Sequence, residues 1–249
     1  MKRSVKSLIG FTIGATDGEI GKVKEFYYDD ETWIIRYLIV DTGNWLSGRV
    51  VLISPGSLST PDWENEVFPV NLTKEQIMNS PEIDTEKLVN RQEKFKSYIY
   101  SPRVNYLDDG RVRLEMGMQK TNPIAQEVQK DENTIDKITD NDLHLRSTDN
   151  VTGYCIKATD GEIGDVEDFI IDDRTWRISF LVVDTGNWFP GKKVLLTPKK
   201  IKEIDWQTNT VFVNTSVAHV TNSPEYNPTQ PLNEVYVEYV HNYYGQMIV

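Results

Sequence analysis

The chain has 249 residues, 39% of them hydrophobic and 26% charged, with a formal net charge of −11. This is apolar material for one large core or two small ones, and the acidic balance argues against nucleic acid as a partner, because phosphate-backbone binding needs a basic footprint. A single cysteine, Cys155, excludes an intramolecular disulfide.

The N-terminal stretch "MKRSVKSLIGFTIGATDG" holds no apolar run of signal length. The longest apolar run, near "WIIRYLIV", is broken by Arg36 and falls far short of the ~20 residues of a membrane span. The expectation is a cytoplasmic protein with no integral membrane segment.

In chain order, the first turn falls at Asp17-Gly18 within "ATDGEIG" (15–21), a hairpin signal because both residues tolerate positive φ. "DDET" (29–32) reads as the next turn. From there Trp33, Ile35, Tyr37 and Ile39 alternate with Ile34, Arg36, Leu38 and Val40. The pattern predicts a strand with one face always apolar and the other becoming apolar toward its end, suited to a curled sheet or small barrel. "DTGNWLSG" (41–48) reads as a longer hairpin loop. A strand then ends at Pro55, and a last one lies near Val67 to Asn71.

Thr73 with Gln76 has capping-box spacing and predicts a short helix that Pro81 stops. A further helical pattern follows at 85–100. The polar segment 103–145 contains "DDG" between Leu107 and Val112, a hairpin signal, and reads as a linker from Thr121 to Asp142.

Shifted by 143 positions, the chain then repeats itself without a gap. "ATDGEIG" recurs at 158–164, and "DDETWIIRYLIVDTGNW" falls on "DDRTWRISFLVVDTGNW" (172–188). Arg3-Ser4 fall on Arg146-Ser147, and Trp63 on Trp206. About 37 of roughly 80 aligned positions agree, over a period too long for a solenoid, so each copy is expected to be a domain. The expected organisation is repeat one with its helix at 1–102, a linker at 103–145, and repeat two with its helix at 146–249. A mainly β fold follows, with two small barrels from an internal duplication, each trailed by one or two short helices.

These residues resemble the PRC-barrel domain, named for the cytoplasmic domain of the photosynthetic reaction centre H subunit and found also at the C-terminus of a ribosome maturation factor. The turn D-G-E-x-G, the V-x-[ED]-F that follows it and the strand "RYLIVDT" carry the likeness over 3–82 and 146–225. It is closest to bacterial tandem PRC-barrel proteins. The resemblance implies a non-enzymatic protein–protein interaction or assembly module, with no shared active site to carry over. It also implies two alternatives, an RNA- or ribosome-associated factor and a peripheral subunit of a photosynthetic or other membrane complex.

The residues agree with a non-catalytic reading. Asp17, Glu19, Asp29, Asp30 and Asp41 recur as Asp160, Glu162, Asp172, Asp173 and Asp184, each where a turn favours Asp. His144, His219 and His241 have no counterpart in the other copy and no zinc-ligand spacing. No metal or other cofactor is expected. Asp17, Gly18, Asp160 and Gly161 are read as structural turns.

The candidate partner-binding residues are Trp45, Leu46, Trp188 and Phe189, large apolar side chains in glycine-flanked loops. The alternative for them is a plug folded back on the barrel end. Lys192 and Lys193 join the candidates as part of a basic cluster, with Lys199, Lys200 and Lys202, that copy one lacks. That cluster reads either as a solvated sheet edge or as a small anionic docking patch. The expected partner is a protein, with self-association as a further expectation.

Overall fold

The computed structural model describes residues 1–46, 48–79, 104–106, 112–114, 144–186 and 191–245. The expected helix at 85–100 and linker at 121–142 lie outside the described residues. The first copy supplies β1 (Lys2–Ser4), β2 (Thr12–Ala15), β3 (Gly18–Asp29), β4 (Ile34–Asp41), β5 (Val50–Ile53), β6 (Val67–Pro69) and helix α1 (Lys74–Met78). β7 (Val104–Tyr106) and β8 (Val112–Leu114) pair as the small antiparallel hairpin expected around "DDG". The second copy supplies β9 (Leu145–Ser147), α2 (Thr148–Val151), β10 (Cys155–Lys157), β11 (Glu162–Asp172), β12 (Ile178–Asp184) and β13 (Lys193–Leu196). It continues with β14 (Ile201–Asp205), β15 (Thr210–Val213), α3 (Val217–Thr221) and α4 (Glu234–Gly245).

The protein is mainly β, with two large sheets of matching order. One runs β5-β4-β3-β2-β6 and the other β13-β12-β11-β10-β15-β14. In each, consecutive antiparallel strands lead to a parallel pair, β2 with β6 and β10 with β15, and in the second sheet β14 adds antiparallel beyond β15.

The opening strands of the copies are exchanged. β1 pairs with β11, setting Lys2 opposite Asp172 and Ser4 opposite Ile170. β9 pairs with β3, setting Leu145 opposite Asp29 and Ser147 opposite Tyr27. Each copy therefore completes the other's sheet.

The exchange is fastened by side chains at matching positions. Arg3 Nε lies 2.9 Å from Asp173, while its guanidinium stands 3.4 Å from the centre of the Trp63 ring. Arg146 Nε lies 2.9 Å from Asp30 and its guanidinium 4.3 Å from the Trp206 ring. The Ser4 hydroxyl donates to Asp168, and the Ser147 hydroxyl to Glu25.

The alternation read in β4 is broken by bulges. Tyr27 faces Tyr37 but Tyr28 faces Ile35, leaving Arg36 as an extra residue; Ser179 is the extra residue at the same place in copy two. One extra residue flips which side chains face inward. Ile35, Leu38 and Val40 consequently line the main core, whereas Ile39 and Tyr37 join a small satellite cluster with Tyr27 and Leu145. The face expected to be uniformly apolar is thus divided between two clusters.

The tryptophans read on strand patterns sit in turns instead. Trp33 and Trp176 take φ of 59° and 55° just before β4 and β12. There Ile35 N–H donates to Trp176 O at 2.8 Å and Ile178 N–H to Trp33 O at 2.7 Å. Trp176 reaches across the boundary to Phe26 and Phe68 of copy one, and Tyr28 of copy one meets Phe169 of copy two. The main hydrophobic cluster runs without interruption from Val5 in the first copy to Tyr244 in the second.

Candidate partner-binding surface

The loop after β4 is built by its own backbone. Asp41 Oδ1 accepts the Gly43 N–H at 2.8 Å, Gly48 N–H donates to Gly43 O at 2.6 Å, and Arg49 N–H donates to Leu46 O at 3.0 Å. Trp45 and Leu46 are half-buried and pack against the main core, so each shows one side to solvent. Lys74 Nζ sits 5.5 Å from the centre of the Trp45 ring. Arg49 Nη1 donates to Met78 O at 3.1 Å, tying the loop exit to the end of α1, where Met78 is 48% exposed. Trp188 and Phe189 lie outside the described residues.

The two candidate lysines are drawn into the fold. Lys192 Nζ donates to Thr221 O at the end of α3, the same bond that Arg49 makes to α1. Lys193 Nζ lies 2.5 Å from Glu167 Oε1. Lys199 and Lys202 are exposed. The basic cluster is therefore part fastening and part surface, a division invisible in the sequence because the partners lie 26–29 residues away.

Most of the repeated carboxylates, namely Asp17, Asp29, Asp30 and Asp41 with Asp160, Asp172 and Asp173, hold backbone or a cation. Asp17 Oδ1 accepts the Lys74 N–H at 2.8 Å and Asp160 Oδ1 the Val217 N–H at 2.7 Å, docking the first turns of α1 and α3. Asp29 Oδ1 accepts N–H groups from Glu31 and Thr32, as Asp172 does from Arg174 and Thr175. Asp30 faces Arg146, with His144 Nδ1 at 2.9 Å, and Asp173 faces Arg3. Burial disfavours ionised Asp29, but hydrogen bonds from Thr32 and the Arg36 guanidinium outweigh it and hold the carboxyl below its usual range.

Gly18 opens β3 with φ 135°, as a turn glycine should, but Gly161 has no positive φ. The repeated heptad owes more to its last glycine. A Cβ on Gly21 would stand 2.1 Å from Asp41 O, and one on Gly164 1.9 Å from Asp184 O. Only glycine lets β3 and β11 approach their neighbours so closely.

His219 and His241 serve packing. His219 stacks on Tyr243 at 4.6 Å, and His241 lies 4.7 Å from Phe180. Burial, then nearby lysines, lower both values. The Cys155 thiol is pushed up to about 11, chiefly by burial, which works against a reactive thiolate. No helix among the described residues is long and apolar enough to cross a membrane.

A family model described as PRC-barrel domain matches residues 2–77 and 156–220, more than half of the chain. A protein of Deinococcus radiodurans, named only as an uncharacterised protein, is 35% identical over 69 residues. That alignment covers 28% of this chain and 24% of the relative, so the chain spans about a quarter of its length. PRC-barrel domains generally serve as interaction modules. Two matched segments, two sheets of one order and one set of fastenings used twice lead to the same conclusion: the chain belongs to the PRC-barrel domain family.

Proposed function

We propose that this protein is a non-enzymatic interaction module that binds a protein partner through the loop after β4, with Trp45 and Leu46 as its apolar anchors. The observation that carries the reading is how the polar residues common to both copies are used. Asp17, Asp29, Asp30 and their counterparts hold backbone N–H groups or arginines, which favours architecture over chemistry. Trp45 and Leu46 combine a fixed base with an open side, in a loop whose exit Arg49 ties to Met78 O. Half-buried aromatics on a rigid loop make efficient anchors, since little side-chain freedom is left to lose on binding. On this reading Trp188 and Phe189 are the second copy's anchors. Lys192 and Lys193 act from within the fold, which weakens the nucleic-acid alternative.

The test is affinity capture from a lysate with the parent chain and with a Trp45→Ser, Leu46→Ser variant shown by circular dichroism to be folded. A protein held by the parent and lost by the variant, insensitive to salt, is the expected result. Equal capture by both would refute the anchor assignment. Capture that falls steeply with ionic strength would move the reading to nucleic acid.

A further inference from the structure

The face joining the two copies is made twice by the same means. β1 on β11 is matched by β9 on β3, Arg3 between Asp173 and Trp63 by Arg146 between Asp30 and Trp206, and Ile35 N–H to Trp176 O by Ile178 N–H to Trp33 O. This is the pattern of an isologous dimer interface, in which one patch meets its own equivalent. Its centre is apolar and aromatic, with Phe26, Tyr28, Phe169 and Trp176 in ring contact across or beside the boundary, and its margin carries the paired charges. An apolar centre inside a polar rim is how independent partners recognise one another.

We propose that the two halves recognise each other without the covalent tether, so that this face is a self-recognition surface and a second copy of this chain can supply either half. It is a different surface from the loop after β4. The proposal fixes where the second copy binds: its β9 takes the place beside β3, and its β11 receives the first chain's β1. A tether makes the pairing intramolecular, at an effective concentration of about millimolar for short flexible linkers and less for longer ones. The intact chain therefore closes on itself at ordinary concentrations, and exchange shows once the tether is cut or chains fold together at high concentration.

The experiment starts from the folded full-length chain with a protease recognition sequence inserted after Lys130. After cleavage and dilution to about 1 µM, the halves are expected to elute together from a sizing column with the mass of the uncut chain. The Arg3→Ala, Arg146→Ala double variant should separate at a concentration at least tenfold higher. Two separate half-chain peaks from the cleaved parent would overturn the proposal.

An independent arm needs no cleavage. Full-length chains carrying Lys2→Cys or Asp172→Cys, each with Cys155→Ser, are refolded together at high concentration and oxidised. Lys2 and Asp172 are cross-strand partners, at a spacing a disulfide accepts. A covalent dimer made from the mixture, and absent when the chains are folded separately and then mixed, is the expected result. Failure to form it on refolding together would show that a second copy cannot replace the resident half.

Discussion

Replacing Gly21 by alanine tests whether close strand approach underlies the repeated heptad. The added Cβ would stand 2.1 Å from Asp41 O, where real Cβ atoms essentially never come within 3.0 Å, and the obstacle is backbone with no rotamer to escape into. Relief requires β3 to move from β4 by roughly 1 Å, an overpacking cost of about 1–3 kcal/mol. A lost ladder hydrogen bond adds about 1 kcal/mol. The total, about 2–4 kcal/mol, corresponds to a fall in Tm of roughly 5–15 °C for a chain of this size. Gly164→Ala should be at least as severe, with 1.9 Å of approach and a φ of 154°. Gly43→Ala supplies the control, because its Cβ meets nothing within 4 Å and only its φ of 53° opposes the change, a cost of about 1 kcal/mol. Urea unfolding followed by tryptophan fluorescence reads all three. Gly21→Ala within about 0.5 kcal/mol of Gly43→Ala would refute the close-approach argument.

Burial, against hydrogen bonds from Ser4, Phe169 and Lys6, raises the Asp168 carboxyl above its ordinary 3.8. Its contribution to stability is full below the unfolded value and is lost as pH rises through the raised folded one. Asp168→Asn should therefore gain on the parent in urea midpoint between pH 4 and 7, and a shrinking difference would contradict the assignment. Tyr28 is fully buried and its hydroxyl meets no hydrogen-bond partner among the described residues. Tyr28→Phe should leave stability unchanged or raise it by up to about 1 kcal/mol, and a clear loss in thermal melting would mean that the hydroxyl is satisfied. Asp17→Ala and Asp160→Ala should each cost about 1 kcal/mol by freeing the first N–H of α1 or α3, with Asp→Asn milder; denaturant midpoints unchanged by Asp→Ala would remove that role.

The repeat was legible because the offset of 143 runs on without a gap through residues that each turn and strand requires. The capping box at Thr73 and Gln76 was legible for the same local reason, and both of its reciprocal bonds are present. What escaped was non-local. The alignment of Arg3-Ser4 with Arg146-Ser147 was visible, but strands of three residues are too short to show a period, and nothing in them names a partner in the opposite copy. The bulges at Arg36 and Ser179 escaped because the strands turn apolar on both faces just beyond them, and such a run reads the same with or without an extra residue. Trp33 and Trp176 looked like strand residues because a positive φ leaves no mark on residue type when it is a bulky side chain that accepts it. In the candidate surface, residue types identified Trp45 and Leu46. Lys193 looked free only because Glu167 lies in another strand.

The exchanged strands also set a timetable for synthesis. Lys2 leaves the ribosome well before its partner, because the aspartate it binds lies 170 positions later. At about 5–20 residues per second, β1 waits roughly 10 to 30 s for β11 to exist. The first sheet, complete to β6 at Pro69, waits roughly 4 to 15 s for β9. Until then the first copy has one unfilled strand position, and the edge of β3 is open to whatever strand comes first. A neighbouring nascent chain on the same message is the nearest source of one, so under the proposed self-recognition the spacing between ribosomes bears on which half each copy finally holds.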